Sequence, residues 1–226
     1  AKLRRYQEMI EEHISGAMSA LFSGVSEAEG DLEKLNPLEF PVLNMLNTRY
    51  FIFPLQGGQT VPLENPFALG NAWFVNEVQY VANANEEIEA IHGLDPSQKA
   101  VVDKKFQSVV KPVESDSTAV IELVAYEPNY LKYEVDSEKG GTVVFSEIYY
   151  PGWQSTIDGK DTPHGRANYI LRAMNVPAGK HVVEFRFDPK SLHTTETIAY
   201  IALALLALGL VAFVAIYFKA RMANKK

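Results

Sequence analysis

The chain has 226 residues, 47% of them apolar and 22% charged, with 28 acidic against 21 basic side chains and no cysteine. That length accommodates one large domain or two small ones. A net charge of −7 argues against a general nucleic-acid binder, which would present a basic face to phosphate, and the lack of Cys removes disulfide frameworks, thiolate zinc sites and cysteine nucleophiles together.

In chain order, Leu3, Tyr6, Ile10, Ile14, Ala17, Met18 and Leu21 recur at three- and four-residue spacing, which predicts a helix with one apolar stripe. Its apolar face is expected to pack on the sandwich, the alternative being that it lies along membrane helices of a longer protein. Gly24 to Lys34 is acidic and polar and reads as a loop. Asn36-Pro37-Leu38-Glu39 then predicts a second helix start, with Asn36 as cap, Pro37 at the first helical position and Glu39 reaching back. Tyr50-Phe51-Ile52-Phe53 is a short buried-strand pattern, Gly57-Gly58 a turn, and 72–81 a further aromatic and β-branched strand run. Asn83 caps a short helix that Gly93 ends, and Asp95-Pro96-Ser97-Gln98 starts another turn.

From Thr118 onward the period becomes two. Leu131, Tyr133 and Val135 alternate with Lys132, Glu134 and Asp136, and Phe185 and Phe187 with Glu184 and Arg186. Strands are expected at 118–126, 129–136, 142–150, a hairpin of 153–157 with its return at 168–176, and 181–187. Turns fall at Lys139-Gly140-Gly141, at Asp158-Gly159 with positive φ, and at Pro177-Ala178-Gly179-Lys180. Such close strand spacing is the signature of an antiparallel sandwich.

Thr197 to Phe218 is a run of 22 residues without a charge, about 33 Å as a helix and so matched to a hydrocarbon core of about 30 Å. Lys219, Arg221, Lys225 and Lys226 follow it, which by the positive-inside tendency places the tail in the cytoplasm and residues 1–196 outside. Up to Phe218 the chain holds 17 basic and 28 acidic residues, a balance of −11, against +4 in the eight residues beyond. Thr197, Phe218, Lys219 and Arg221 bracket the membrane anchor. An outside domain needs a signal or earlier spans, so the chain is expected to be the end of a longer membrane protein or one whose signal has been removed. A tail-anchored protein with a cytoplasmic domain is the competing reading.

Histidines 13, 92, 164, 181 and 193 lack the HxxxH or HExxH spacing of a zinc site, and Asp158-Gly159-Lys160-Asp161 is explained by a hairpin turn without calcium. No GxSxG elbow or phosphate-cradling loop is present, so no catalytic residue, metal or cofactor is assigned. The densest aromatic feature is Glu147-Ile148-Tyr149-Tyr150-Pro151-Gly152-Trp153-Gln154. Tyr149, Tyr150 and Trp153 are candidate ligand-binding residues, because aromatic faces stack on sugar rings; the alternative is that Trp153 and one Tyr fill the core.

Lys2-Leu3-Arg4-Arg5-Tyr6-Gln7-Glu8, Leu43-Asn44-Met45-Leu46-Asn47-Thr48-Arg49-Tyr50, Gly70-Asn71-Ala72-Trp73-Phe74-Val75, Tyr149-Tyr150-Pro151-Gly152-Trp153 with Ile157-Asp158-Gly159, and Ala167-Asn168-Tyr169 through Val176-Pro177-Ala178-Gly179 together resemble the C-terminal part of YfhO-like bacterial membrane proteins. The likeness covers nearly the whole chain. It implies a polytopic inner-membrane protein of the GT-C glycosyltransferase type, taking a sugar from a polyprenyl-phosphate carrier and passing it to a cell-envelope acceptor. In that type the catalytic acid lies in an early outer loop, so the resemblance places no catalytic residue here.

The fold expected is mainly β with α additions: a jelly-roll-like antiparallel β-sandwich preceded by helical segments and followed by one transmembrane helix. Its parts are an N-terminal helical segment (1–48), a mixed α/β region packed on the sandwich (49–117), the sandwich (118–190), the membrane helix (197–218) and a basic cytoplasmic tail (219–226). The function expected is an accessory, acceptor-positioning part of an envelope glycosyltransferase. The alternative is a membrane-anchored carbohydrate-binding or adhesion module. Partners expected are the lipid bilayer, a cell-envelope glycan or polyprenyl-phosphate-linked sugar, and the upstream transmembrane portion of the same protein, with no nucleic acid.

Overall fold

The computed structural model describes residues 3–54, 56–113 and 118–223 and divides into a unit ending at Arg186 and a second starting at Phe187. The first unit opens with helices α1 (Arg4–Met9) and α2 (Ser15–Glu27), joined without a break by a π turn, Ile10–Ile14. Met9, His13, Ala17, Leu21 and Val25 form the buried row. Four-residue steps overshoot a 3.6-residue turn, so such a row would drift around an α-helix; the wider π turn takes up the excess and keeps it on one side. The helix continues past the expected end at Leu21 because the chain folds back over it. A Cβ on Gly24 would stand 3.0 Å from the Leu35 side chain, so the missing side chain admits that close approach.

Asn36 caps as expected, its Oδ1 accepting from Leu38 N at 3.1 Å, but over a 3₁₀ turn, Pro37–Glu39. The buried helix α3 (Pro41–Met45) follows. Strands β1 (Tyr50–Pro54) and β2 (Thr60–Glu64) pair antiparallel as a separate ribbon. β1 is not buried on both faces: Phe51 and Phe53 point inward while Tyr50 and Ile52 are exposed. The run 72–81 forms two strands, β3 (Ala72–Val75) and β4 (Glu77–Val81), in different sheets. Helix α4 (Ala84–Glu89), capped by the Asn83 side chain, then leads to β5 (Lys99–Asp103), which runs parallel to β4. A parallel pair needs such a crossover, and α4 supplies it.

The remaining strands are β6 (Val120–Glu127), β7 (Tyr130–Ser137), β8 (Gly141–Ile148), β9 (Trp153–Ile157), β10 (Lys160–Asp161), β11 (Gly165–Ala167), β12 (Leu171–Val176) and β13 (Gly179–Phe187). They form two sheets, ordered β10-β9-β13-β7-β6 and β11-β12-β8-β3. Leu131, Tyr133, Val183 and Phe185 from the first meet Val143, Phe145, Met174 and Val176 from the second. The rings of Tyr133 and Phe185 each lie edge-on to Phe145 at 4.9 Å. Each such side chain contributes about 1.5–3 kcal/mol by leaving water.

The smaller sheet is covered on both faces. Its other side carries Trp73, Val75, Val144 and Ala173 against Met9, Ile91, Leu94, Val101 and Val102, which is why β8 reads as the unbroken apolar run Val143-Val144-Phe145. The expected hairpin of 153–157 with 168–176 does not form. The Asp158-Gly159 turn, with φ of 52° and 74°, returns only into the two-residue β10. β9 and β12 belong to opposite sheets, because the intervening chain crosses between them through β11.

At the β11–β12 turn Asn168 is fully buried with φ 48°. Its N–H donates to Val101 O at 2.8 Å and its Oδ1 accepts from Val101 N at 2.9 Å. One residue thereby satisfies both backbone groups of Val101 on β5, as a neighbouring strand would.

The second unit is the helix α5, Lys190–Ala223, 34 residues and about 51 Å long. It is long and apolar enough to cross a membrane, contains the span expected at 197–218, and exposes its apolar side chains along its length.

Candidate binding site

β8 belongs to one sheet and β9 to the other, so the chain turns sharply between them, and the aromatic string occupies that turn. Tyr149 N donates to Ile170 O at 2.7 Å, which anchors the turn to the small sheet. Gly152, with φ 105°, takes a conformation that a side chain would strain. The turn walls a groove of about 410 Å³ lined by Tyr149, Tyr150, Trp153, Gln154, Ser155 and His164. The three aromatic residues are thus brought together, in different settings. Tyr150 is exposed; Tyr149 is half-buried, edge-on to Phe106 at 5.4 Å and to His164 at 5.6 Å. Trp153 is also half-buried and packs on the sandwich core while lining the groove.

His164 has a defined tautomer. The Ser155 hydroxyl lies 2.5 Å from Thr162 O and 2.7 Å from His164 Nδ1. A carbonyl only accepts, so the single hydroxyl proton goes to Thr162, and Ser155 accepts from Nδ1–H. Nε2 is then the unprotonated, accepting nitrogen. Burial, and after it the charge of Arg172, hold the imidazole down to about 4, so it is neutral near pH 7.

Behind Trp153 lies Arg172, 1% exposed. Its guanidinium carbon is 4.0 Å from the Trp153 ring centroid and 5.2 Å from that of Phe185, and Nε donates to Ile148 O at 3.1 Å. Burial lowers its pKa to about 10, against the pull of Glu147. Burial raises Glu147 in turn, with Arg172 opposing. Arg172 Nη1 and the Tyr133 hydroxyl are both buried without a hydrogen-bond partner.

A second hollow, about 300 Å³, lies on the other side of Tyr149-Tyr150-Pro151, with Leu3, Arg5, Tyr6, Arg166 and Ile170 among its walls. Its charges are engaged. Arg166 bonds the fully buried Glu87 at 2.6 and 3.3 Å, Arg5 approaches Glu87 at 3.5 Å and lies over the Tyr169 ring at 4.4 Å, and Tyr169 donates to Glu8. This network fastens α1 and α4 to the small sheet.

The Asp158 carboxylate accepts from Val182 N at 2.8 Å and lies 2.7 Å from His181 Nδ1, so it holds its turn. Among the described residues no group of three or more His, Asp or Glu is placed to hold a metal. Thr197, Phe218, Lys219 and Arg221 all lie on α5, where Thr197 donates to His193 O at 2.8 Å and Lys219 and Arg221 are exposed.

Ser155, His164 and Arg172 escape sequence reasoning as site residues because no spacing links them to the aromatic string. Arg172 alone leaves a trace: it shares its strand face with Met174 and Val176, an ionic residue in an apolar row. Compared with known proteins, residues 95–216 match the model of a family described as bacterial membrane protein YfhO. No curated protein and no solved structure matches the chain significantly.

Proposed function

Because the chain belongs to the YfhO family of bacterial membrane proteins, we propose that it is the extracytoplasmic sandwich and last membrane span of a polytopic, envelope glycosyltransferase-like protein. In this reading the sugar comes from a polyprenyl-phosphate carrier through an upstream transmembrane portion. The present part positions the acceptor glycan and does not itself catalyse transfer. The basic tail at Lys219 and Arg221 lies in the cytoplasm, following the positive-inside tendency.

The observation that supports this reading is the groove. In this reading the Tyr149, Tyr150 and Trp153 rings meet the C–H side of a sugar ring, with His164 Nε2 and Gln154 beside them for hydroxyl contacts. A sandwich that holds the acceptor beside a membrane-bound donor lowers the orientational cost of transfer.

The test uses the full 226-residue chain in nanodiscs, titrated with cell-envelope oligosaccharides and followed by Trp fluorescence and calorimetry. Trp153→Ala and Tyr150→Ala are expected to weaken binding about tenfold or more, about 1.4 kcal/mol. Tyr150, being exposed, is expected to do so without loss of thermal stability. Lost stability with unchanged binding refutes the assignment.

A further inference from the structure

Arg172 is an expensive residue for the place it occupies. A guanidinium 1% exposed must be taken out of water, and its direct hydrogen bonding amounts to Nε on Ile148 O, with Nη1 left over. Apolar residues in place of buried ions are often neutral or stabilising. A methionine would fill an interior row that already holds Met174 and Val176, so core stability alone does not account for the charge.

The guanidinium serves the groove from behind. It stacks at 4.0 Å on Trp153, which lines the groove, and Nε ties it to the carbonyl of Ile148, the residue before Tyr149. One side chain therefore fixes both ends of the aromatic turn. The ionisable groups facing it are Glu147 on β8, Tyr133 on β7 and Tyr126 on β6, and its charge also acts on His164.

We propose that Arg172 is a positioning residue for this groove, holding Trp153 in place beside the accepting His164 Nε2, so that the groove selects an uncharged, hydroxyl-rich ring. This selectivity rests on the glycan reading above; the positioning does not. A protonated His164 would present Nε2–H as a donor beside a positive charge, reversing the hydrogen-bond pattern offered to a sugar hydroxyl. Asp161 at the rim and Glu147 near Arg172 leave an anionic sugar no gain in charge pairing.

The experiment compares wild type, Arg172→Met and Arg172→Lys as full chains in nanodiscs. Trp153 emission is isolated by subtracting the Trp153→Phe protein, and the His164 ring proton is titrated by NMR. Maltotriose and a galacturonic acid trimer serve as neutral and anionic probes. Arg172→Met is expected to shift Trp153 emission, to move the His164 midpoint from about 4 toward 6.5, and to weaken maltotriose binding about tenfold. Arg172→Lys is expected to hold His164 low while losing the stacked emission signature. Unchanged emission and an unchanged His164 titration in folded Arg172→Met overturn the positioning role. If that variant does not fold, Arg172→Lys decides it: wild-type emission there, with the guanidinium over the ring gone, overturns it too. Should the wild type bind neither trisaccharide, or prefer the acidic one, the selectivity falls while emission and titration still decide the positioning.

Discussion

Glu87 and Arg166, 79 residues apart in sequence, share two hydrogen bonds of 2.6 and 3.3 Å where Glu87 has no solvent exposure and Arg166 almost none. The pair links α4 to β11, and Arg5 at 3.5 Å and Asp103, 3.5 Å from Arg166, extend it.

Removing the Glu87 charge leaves the buried Arg166 guanidinium with Asp103, at 3.5 Å, in place of its two short hydrogen bonds. Glu87→Gln is expected to destabilise the first unit by about 3–5 kcal/mol, measured by urea unfolding followed by Trp fluorescence. The double change Glu87→Leu with Arg166→Met removes both charges and is expected to recover a large part of that loss. A double variant as damaged as the two singles added together would count against this account.

Two turn glycines, Gly140 between strands of opposite sheets and Gly159 in the β9–β10 hairpin, are expected to respond differently to alanine. Gly140 has φ 75°, and a Cβ there would stand 2.5 Å from Val176 O and 2.7 Å from the Pro177 carbonyl carbon, both backbone atoms. Gly159 has φ 74° but open space around it. Gly159→Ala bears only the left-handed backbone cost, about 1–2 kcal/mol. Gly140→Ala adds overpacking and is expected to cost about 3 kcal/mol or more. Equal melting temperatures for the two variants would show that the contact at Gly140 relaxes freely.

Stability is expected to fall on the acid side. His164 protonates at about 4 in the fold and at 6.5 when unfolded, so between those values the unfolded chain binds the extra proton. Its contribution is fully present above pH 6.5 and is lost as pH falls toward 4, at most about 3 kcal/mol. His13, lowered chiefly by burial, acts in the same direction. His181, raised chiefly by its bond to Asp158, acts oppositely: its contribution is present below pH 6.5 and lost as pH rises through the raised value. His164→Gln should flatten the acid limb of urea midpoints measured from pH 7 to 4.5; an unchanged limb would remove His164 as its source.

The sandwich strands were legible because alternation writes burial directly into sequence: Leu131, Tyr133 and Val135 all face the core. The turns at Gly140 and Asp158-Gly159 were legible because positive φ restricts residue type. Strand partnership was not. Nothing local to 153–157 or 171–176 says which sheet each joins, since either could complete an alternating face. The aromatic string is visible in the sequence as a cluster, while the packing of Trp153 on the sandwich core and its place in the groove wall come only with the fold.

The sequence by itself determined the membrane helix, the family and the β-rich architecture, because each depends on local pattern: an uncharged run long enough for a bilayer, ordered strings of residues, and period-two strands. Tertiary structure alone decided what surrounds each side chain. Arg172 beneath Trp153, Ser155 fixing the tautomer of His164, Glu87 meeting Arg166 and Asn168 completing β5 are all contacts across elements. Their effects on charge and hydrogen bonding come from burial and distance, which the order of residues does not contain.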